Sequence, residues 1–259
     1  MTEFNTLRLS TEEGVATLTV SRPDALNALN EEVLRDLEAA LTELQSMKLR
    51  ALILTGEGRA FVAGADIKAM QAMTEAQALT FGELGHRVMM GIQHLPYPTI
   101  AAVNGFALGG GLELALSCDL IYLSEKAKVG LPEVGLGIIP GFGGTQRLGR
   151  CIGWHHARRL VFTGDTIGAD EALRIGLALE VFPAEGFLEA VTAVAHRIAS
   201  QGPAAVSRAK SVMREGSERS LEDANRLEVE SFAGLWNTAD RAEGMAAFLE
   251  RREASFKGS

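Results

Sequence analysis

The chain is poor in cysteine, in basic charge and in long apolar runs free of glycine. Only Cys118 and Cys151 occur among its 259 residues. Two thiols cannot build a disulfide framework, so a reducing cytoplasm is the expected setting. Acidic residues outnumber basic ones, 33 to 25, for a net charge of −8. That balance argues against non-specific nucleic-acid binding. The opening Met1-Thr2-Glu3-Phe4-Asn5-Thr6 lacks a basic stretch followed by an apolar one, and no signal peptide is expected. Pro98 to Cys118 carries a single charge, Glu113, over a length that could cross a membrane. Asn104 and the run Gly109-Gly110-Gly111 make poor material for one continuous helix. A buried strand, a turn and a buried helix fit that window better than a membrane span.

What remains is ordinary globular material, 47% hydrophobic and 22% charged, with 28 glycines for tight turns and close backbone approaches. The length allows one large domain, or a core plus a small appendage. Leu7 and Leu9, then Ala16, Leu18 and Val20, alternate around Glu13-Gly14 as a β-hairpin. Asn30 is placed to cap a helix running to about Met47, with Leu34, Leu37, Leu41 and Leu44 on one face. Strands are expected at 51–55, 99–103 and 120–124, and helices at about 75–95, from the glycine run through Ser117, and near 145–151. From Trp154 onward the pattern is mostly helical. Strand–helix alternation followed by helices implies α/β layering over residues 1–182 and a helical part over 183–259.

Two glutamates sit in apolar surroundings. Glu113 interrupts Gly111-Leu112-Glu113-Leu114-Ala115, and Glu133 interrupts Val129-Gly130-Leu131-Pro132-Glu133-Val134. Each could reach solvent from the end of its element. Buried instead, each carboxyl would have a raised pKa, and two close together could act as a general acid/base pair. Phe61-Val62-Ala63-Gly64-Ala65-Asp66-Ile67-Lys68 leads from a short strand into a helix, and Gly109-Gly110-Gly111 does the same before Glu113. Free N–H groups at such turns can hold a developing negative charge. Together these features suit enolate stabilisation with proton transfer at an adjacent carbon. Rival motifs fail: Phe61 stands where a dinucleotide fingerprint starting at Gly56 needs its third glycine, and no Gly-Lys-Ser/Thr or Gly-x-Ser-x-Gly occurs. His86 and His94 are eight apart and His155-His156 adjacent, so no metal site is expected. Phe232, Leu235, Trp236, Met245, Phe248 and Leu249 are expected in a core or a subunit contact.

These segments resemble the enoyl-CoA hydratase (crotonase) family over nearly the whole chain. The resemblance is carried by residues 22–29, by 61–68, by the run Ala102-Val103-Asn104-Gly105 through Ala115, by Leu131-Pro132-Glu133, by residues 140–147 and by 243–250. It implies a spiral of ββα units with a helical C-terminal trimerisation region, and a homotrimer or homohexamer. It implies an acyl-CoA thioester ligand, no separate cofactor, no nucleic acid and no membrane. By position, Ala65 and Gly110 would supply oxyanion-hole N–H groups. Glu113 would position water and Glu133 would face the α-carbon. Gly141 would line the reacting end, and Ala63, Gly64, Asp66, Ile67 and Lys68 the CoA path. The implied reaction is reversible addition of water to a 2-enoyl-CoA, giving a 3-hydroxyacyl-CoA. Leu112 and Leu131 stand where short-chain hydratases often have Cys and Gln, which leaves the acyl group open. A methylglutaconyl-CoA hydratase and an enoyl-CoA isomerase are the alternatives. An RNA-binding relative would need a lysine-rich helix face, whereas the first helix begins Glu31-Glu32 and is acidic.

Overall fold

The structure is a computed structural model that describes residues 4–259. Strands β1 (Leu7–Glu12) and β2 (Val15–Val20) form the expected hairpin, with Glu13 and Gly14 both at positive φ in its turn. Helix α1 (Glu31–Ser46) follows, and the Asn30 side chain accepts the Val33 N–H at 2.9 Å as its cap. Next come β3 (Ala51–Gly56), β4 (Ala60–Val62), the short α2 (Ile67–Met70) and α3 (Glu75–Gln93). Thr74 and Gln77 close a capping box at the start of α3. The chain continues through β5 (Thr99–Val103), β6 (Phe106–Leu108), α4 (Gly110–Ala115), β7 (Leu120–Ser124) and β8 (Lys128–Gly130). A 3-10 turn over Pro132–Leu136 precedes α5 (Gly144–Ile152) and α6 (Trp154–Thr163). Then follow β9 (Thr166–Gly168), α7 (Ala169–Arg174) and β10 (Glu180–Phe182). The rest is helical: α8 (Phe187–Ala199), α9 (Pro203–Gly216), α10 (Leu221–Gly234) and α11 (Ala239–Glu250).

Two sheets result. The larger has the order β1-β2-β3-β5-β7-β10, parallel throughout except for the hairpin. The smaller has the order β4-β6-β8-β9, with β9 antiparallel. The pairs β3/β4, β5/β6 and β7/β8 each give their first strand to the large sheet and their second to the small one. Repetition of that step is the ββα spiral.

The period of two along each strand divides the core. Leu52 and Leu54, Ala101 and Val103, and Ile121 and Leu123 join the main cluster with α1, α3 and α4. Their neighbours Ala51, Ile53, Ile100, Ala102 and Tyr122 face the other way, onto Phe187, Val191, Val194 and Ala195 of α8. Both faces of the large sheet are therefore covered, which is why its central strands read as unbroken apolar runs.

Strands β6, β8, β9 and β10 were not expected from the sequence. Each has three residues, too few to show a period, and β9 and β10 fall in the stretch read as helical. These C-terminal apolar side chains are not an internal core: Phe232, Phe248 and Leu249 are 62%, 83% and 80% exposed.

The small sheet fixes α4 at close range. A Cβ on Gly111 would overlap the Val62 carbonyl oxygen of β4. Backbone cannot yield there without moving a strand, so Gly111→Ala should cost about 1–3 kcal/mol or more. Urea unfolding of the variant checks this; an unchanged midpoint would contradict the packing described.

Candidate active site

Helix α4 is buried along its whole length, and Glu113 on it is 1% exposed. One carboxylate oxygen, Oε1, accepts the N–H groups of Phe142 at 2.8 Å and Gly144 at 2.7 Å. Gly144 is the first residue of α5, so the carboxylate also lies at the positive end of a helix. Burial pushes the Glu113 carboxyl up, while the two N–H groups and the nearby Arg147 pull it back down.

Glu133 lies in the 3-10 turn after β8 and is 9% exposed. Its carboxylate stands against the Gly109 backbone, and a Cβ at Gly109 would lie 2.9 Å from its Oε1. Gly109 also has φ of +50°, a conformation that calls for glycine, and a side chain there would displace the Glu133 carboxylate. The buried Oε2 of Glu133 has no hydrogen-bond partner among the described residues. Burial pushes this carboxyl up to about 7, its own backbone N–H opposes the shift, and Glu113 adds to it. Neither glutamate reaches solvent from the end of its element.

The segment 63–66 is held by residues just before α1. The Ala63 N–H donates to Leu26 O, the Leu29 N–H to Gly64 O and the Asp66 N–H to Leu29 O. Asn27, fully buried at φ of +61°, fastens this segment through the Arg22 N–H and the Glu57 and Ala60 carbonyls. That leaves the Ala65 N–H without an acceptor among the described residues. The Gly110 N–H opens α4 and is equally free.

Both glutamates and both turns line one cavity of about 290 Å³. Ala63, Gly64, Ala65, Ile67, Gly110 and Gly141 all contribute to its wall. Asp66 and Lys68 do not: the Asp66 side chain caps α2 and pairs with Arg22 at 3.4 Å, and Lys68 is exposed. Sequence reasoning missed the apolar wall, built by Met70, Met73, Phe81, Leu136, Ile138 and Ile139. It also missed Asn27, Phe142 and Gly144 as the residues that hold the turns. Of these, only Gly144 had a visible signal, as part of a glycine pair before a helix. Glu113 and Glu133 are, among the described residues, the only charged side chains in the wall. Among the described residues no cluster of three or more His, Cys, Asp or Glu could hold a metal ion, and no helix is long and apolar enough to cross a membrane.

A ββα spiral with two buried carboxylates beneath paired glycine turns defines a recognisable class. The chain belongs to the enoyl-CoA hydratase/isomerase family, whose model matches residues 10–259. It is 46% identical over 255 residues to the crotonyl-CoA hydratase of Syntrophomonas wolfei, with 98% of each chain covered. It is 44% identical over 253 residues to the short-chain-enoyl-CoA hydratase of Clostridium acetobutylicum, with 97% of each covered. Among solved structures, an enoyl-CoA hydratase from Bacillus anthracis superposes with a TM-score of 0.96 at 39% identity, covering 98% of this chain and 100% of that one.

The Glu133 environment has a measurable consequence. Folding raises its pKa from 4.5 to about 7, so within that window the folded chain binds more protons than the unfolded one. Its stabilising contribution is complete below the window and is lost as pH rises through it. Glu133→Gln should therefore gain stability over the parent as pH rises through the window, hold that gain above it, and show none below it. Urea unfolding at acidic and at mildly alkaline pH checks this; the same pH dependence in both proteins would contradict it.

Proposed function

We propose that this cavity is the active site of an enoyl-CoA hydratase that adds water reversibly to an uncharged, short-chain 2-enoyl-CoA. One observation carries the reading: two buried carboxylates and two unpartnered N–H groups share a cavity that is otherwise apolar. The names of the Syntrophomonas and Clostridium relatives support the same chemistry.

As water attacks the β-carbon, the thioester oxygen becomes enolate-like. The Ala65 and Gly110 N–H groups hold that oxygen, each worth roughly 10²–10³ in rate. Glu113, with one oxygen fixed by the Phe142 and Gly144 N–H groups, offers the other to the attacking water. Glu133, with its free Oε2 and a pKa near neutrality, exchanges the proton at the α-carbon, a contribution of roughly 10²–10⁴. As oxygen bonds the β-carbon, the proton that the water loses passes to the Glu133 carboxylate and the C=C π pair moves into the enolate. Glu133 then delivers that proton to the α-carbon as the enolate collapses, so both carboxylates end as they began. No electrons are gained or lost overall, and coenzyme A enters as part of the substrate. Isomerisation needs only one carboxylate, so the pair favours hydration. Gly64 and Ile67 line the thioester approach, and the exposed Lys68 stands outside it, where the phosphates of coenzyme A would meet solvent. The exposed apolar side chains of α9, α10 and α11, with Phe232, Phe248 and Leu249 among them, support assembly into a trimer or hexamer.

The uncharged acyl group follows from the wall. A terminal carboxylate on the acyl chain would meet two glutamates and, among the described residues, no cation there, and an unpaired buried charge costs several kcal/mol. Crotonyl-CoA should therefore be hydrated with kcat/KM roughly 10²-fold or more above that for 3-methylglutaconyl-CoA. Loss of the conjugated thioester absorbance measures both. Equal or reversed preference would sink the uncharged-acyl reading, and no hydration of any enoyl-CoA would sink the hydratase reading.

A further inference from the structure

We propose that Arg147, which does not line the cavity, is a positioning residue for the Glu113 carboxylate. It acts through the Phe142–Gly143–Gly144 turn. The proposal rests on the hydratase reading above and adds a part to its machinery.

The guanidinium is fixed on two sides. Nη1 donates to the Phe142 carbonyl at 2.8 Å, while Nη2 and Nε donate to Gln93 Oε1 at 2.9 and 3.3 Å. Phe142 is therefore gripped at both ends of its backbone, its N–H by Glu113 and its carbonyl by Arg147. Its ring is gripped as well, edge-on to Phe81 at 5.3 Å and seated where a Cβ on Gly85 would overlap it. The Arg147 N–H closes the turn by donating to Gly143 O at 2.8 Å.

Gly143 packs directly against the guanidinium. It has φ of +104°, and a Cβ there would overlap Arg147 Nη1. A planar fork can reach the Phe142 carbonyl and the Gln93 amide oxygen in fixed directions at once, whereas an ammonium supplies charge without that geometry. The charge matters too. Arg147 lowers the Glu113 carboxyl, Glu133 faces Glu113 from the 3-10 turn, and His86 of α3 stands beside Gly143. Arg150, one turn along α5, repels Arg147.

Arg147 also borders a second cavity of about 320 Å³, lined in part by Gln93, Arg150 and Cys151. Truncation of the side chain would open its place to this cavity, giving free guanidinium a path to the vacated site.

The experiment measures hydration of crotonyl-CoA against pH in the full-length parent and in Arg147→Ala, Arg147→Lys and Gly143→Ala. Arg147→Ala should lose about 10²-fold in kcat with KM little changed, because the wall itself is intact. The acid limb of its kcat profile should move to higher pH, because a cation near Glu113 is gone. Sub-denaturing guanidinium should restore part of the kcat of Arg147→Ala and none of that of Glu113→Gln. Arg147→Lys should keep the acid limb near that of the parent yet fall short in kcat, and Gly143→Ala should lose kcat by displacing the guanidinium. Parental kcat in either Arg147 variant overturns the proposal. So does a loss of kcat with an unmoved acid limb and no rescue, which is what a purely structural arginine would give. If Arg147→Ala does not fold, Arg147→Lys and Gly143→Ala carry the test, and parental kcat in either overturns it. A parent inactive on every enoyl-CoA sinks the hydratase reading and this proposal together; an active parent with undisturbed variants sinks this proposal alone.

Discussion

Glu113 is a carboxylate carried into the core and held there by two N–H groups of one turn. Leaving such a group buried without partners would cost several kcal/mol. The hydrogen bonds from Phe142 and Gly144 make its burial tolerable, and they do so on one oxygen only. Much of the surrounding architecture is arranged to keep that contact. Gly111 lets α4 press onto β4, Gly109 gives room to Glu133, and Gly143 gives room to Arg147. A side chain at Gly111 would push α4 off β4, whereas one at Gly109 or Gly143 would displace the Glu133 carboxylate or the Arg147 guanidinium.

The second carboxylate is treated differently. Glu133 keeps one buried oxygen without a partner among the described residues and a pKa pushed up to about 7. One glutamate is thus anchored and the other free to exchange a proton near neutral pH. Environments that separate two carboxylates in this way also divide their labour. The wall around them is otherwise apolar, and in the proposed reaction the N–H groups at Ala65 and Gly110 would hold the thioester oxygen.

The sequence made the long elements legible because their periods are long enough to read. Leu34, Leu37, Leu41 and Leu44 marked α1, and Ala51–Thr55 marked β3. The two glutamates were visible because a charge inside an apolar run is conspicuous. The small sheet was not visible, since β6, β8 and β9 have three residues each and no period can be counted in three. Partners brought together across the chain were hidden for another reason. Phe142 is 29 residues from Glu113, and the Gln93–Arg147 contact spans 54. No local pattern encodes such contacts; only the spiral that stacks α3, α4 and α5 produces them. The same limit applies to Asp66 and Lys68, which share a motif with Ala65 yet point away from the cavity.

The most direct measurement is a double-mutant cycle on crotonyl-CoA hydration, comparing Glu113→Gln, Glu133→Gln and the double variant in kcat. Two carboxylates acting on one water and one transition state should not contribute independently. Each single variant is expected to fall by at least roughly 10²-fold, and the double variant to be little slower than the slower single. Losses that multiply would contradict a shared transition state, and a parental rate in either single variant would contradict the paired mechanism altogether.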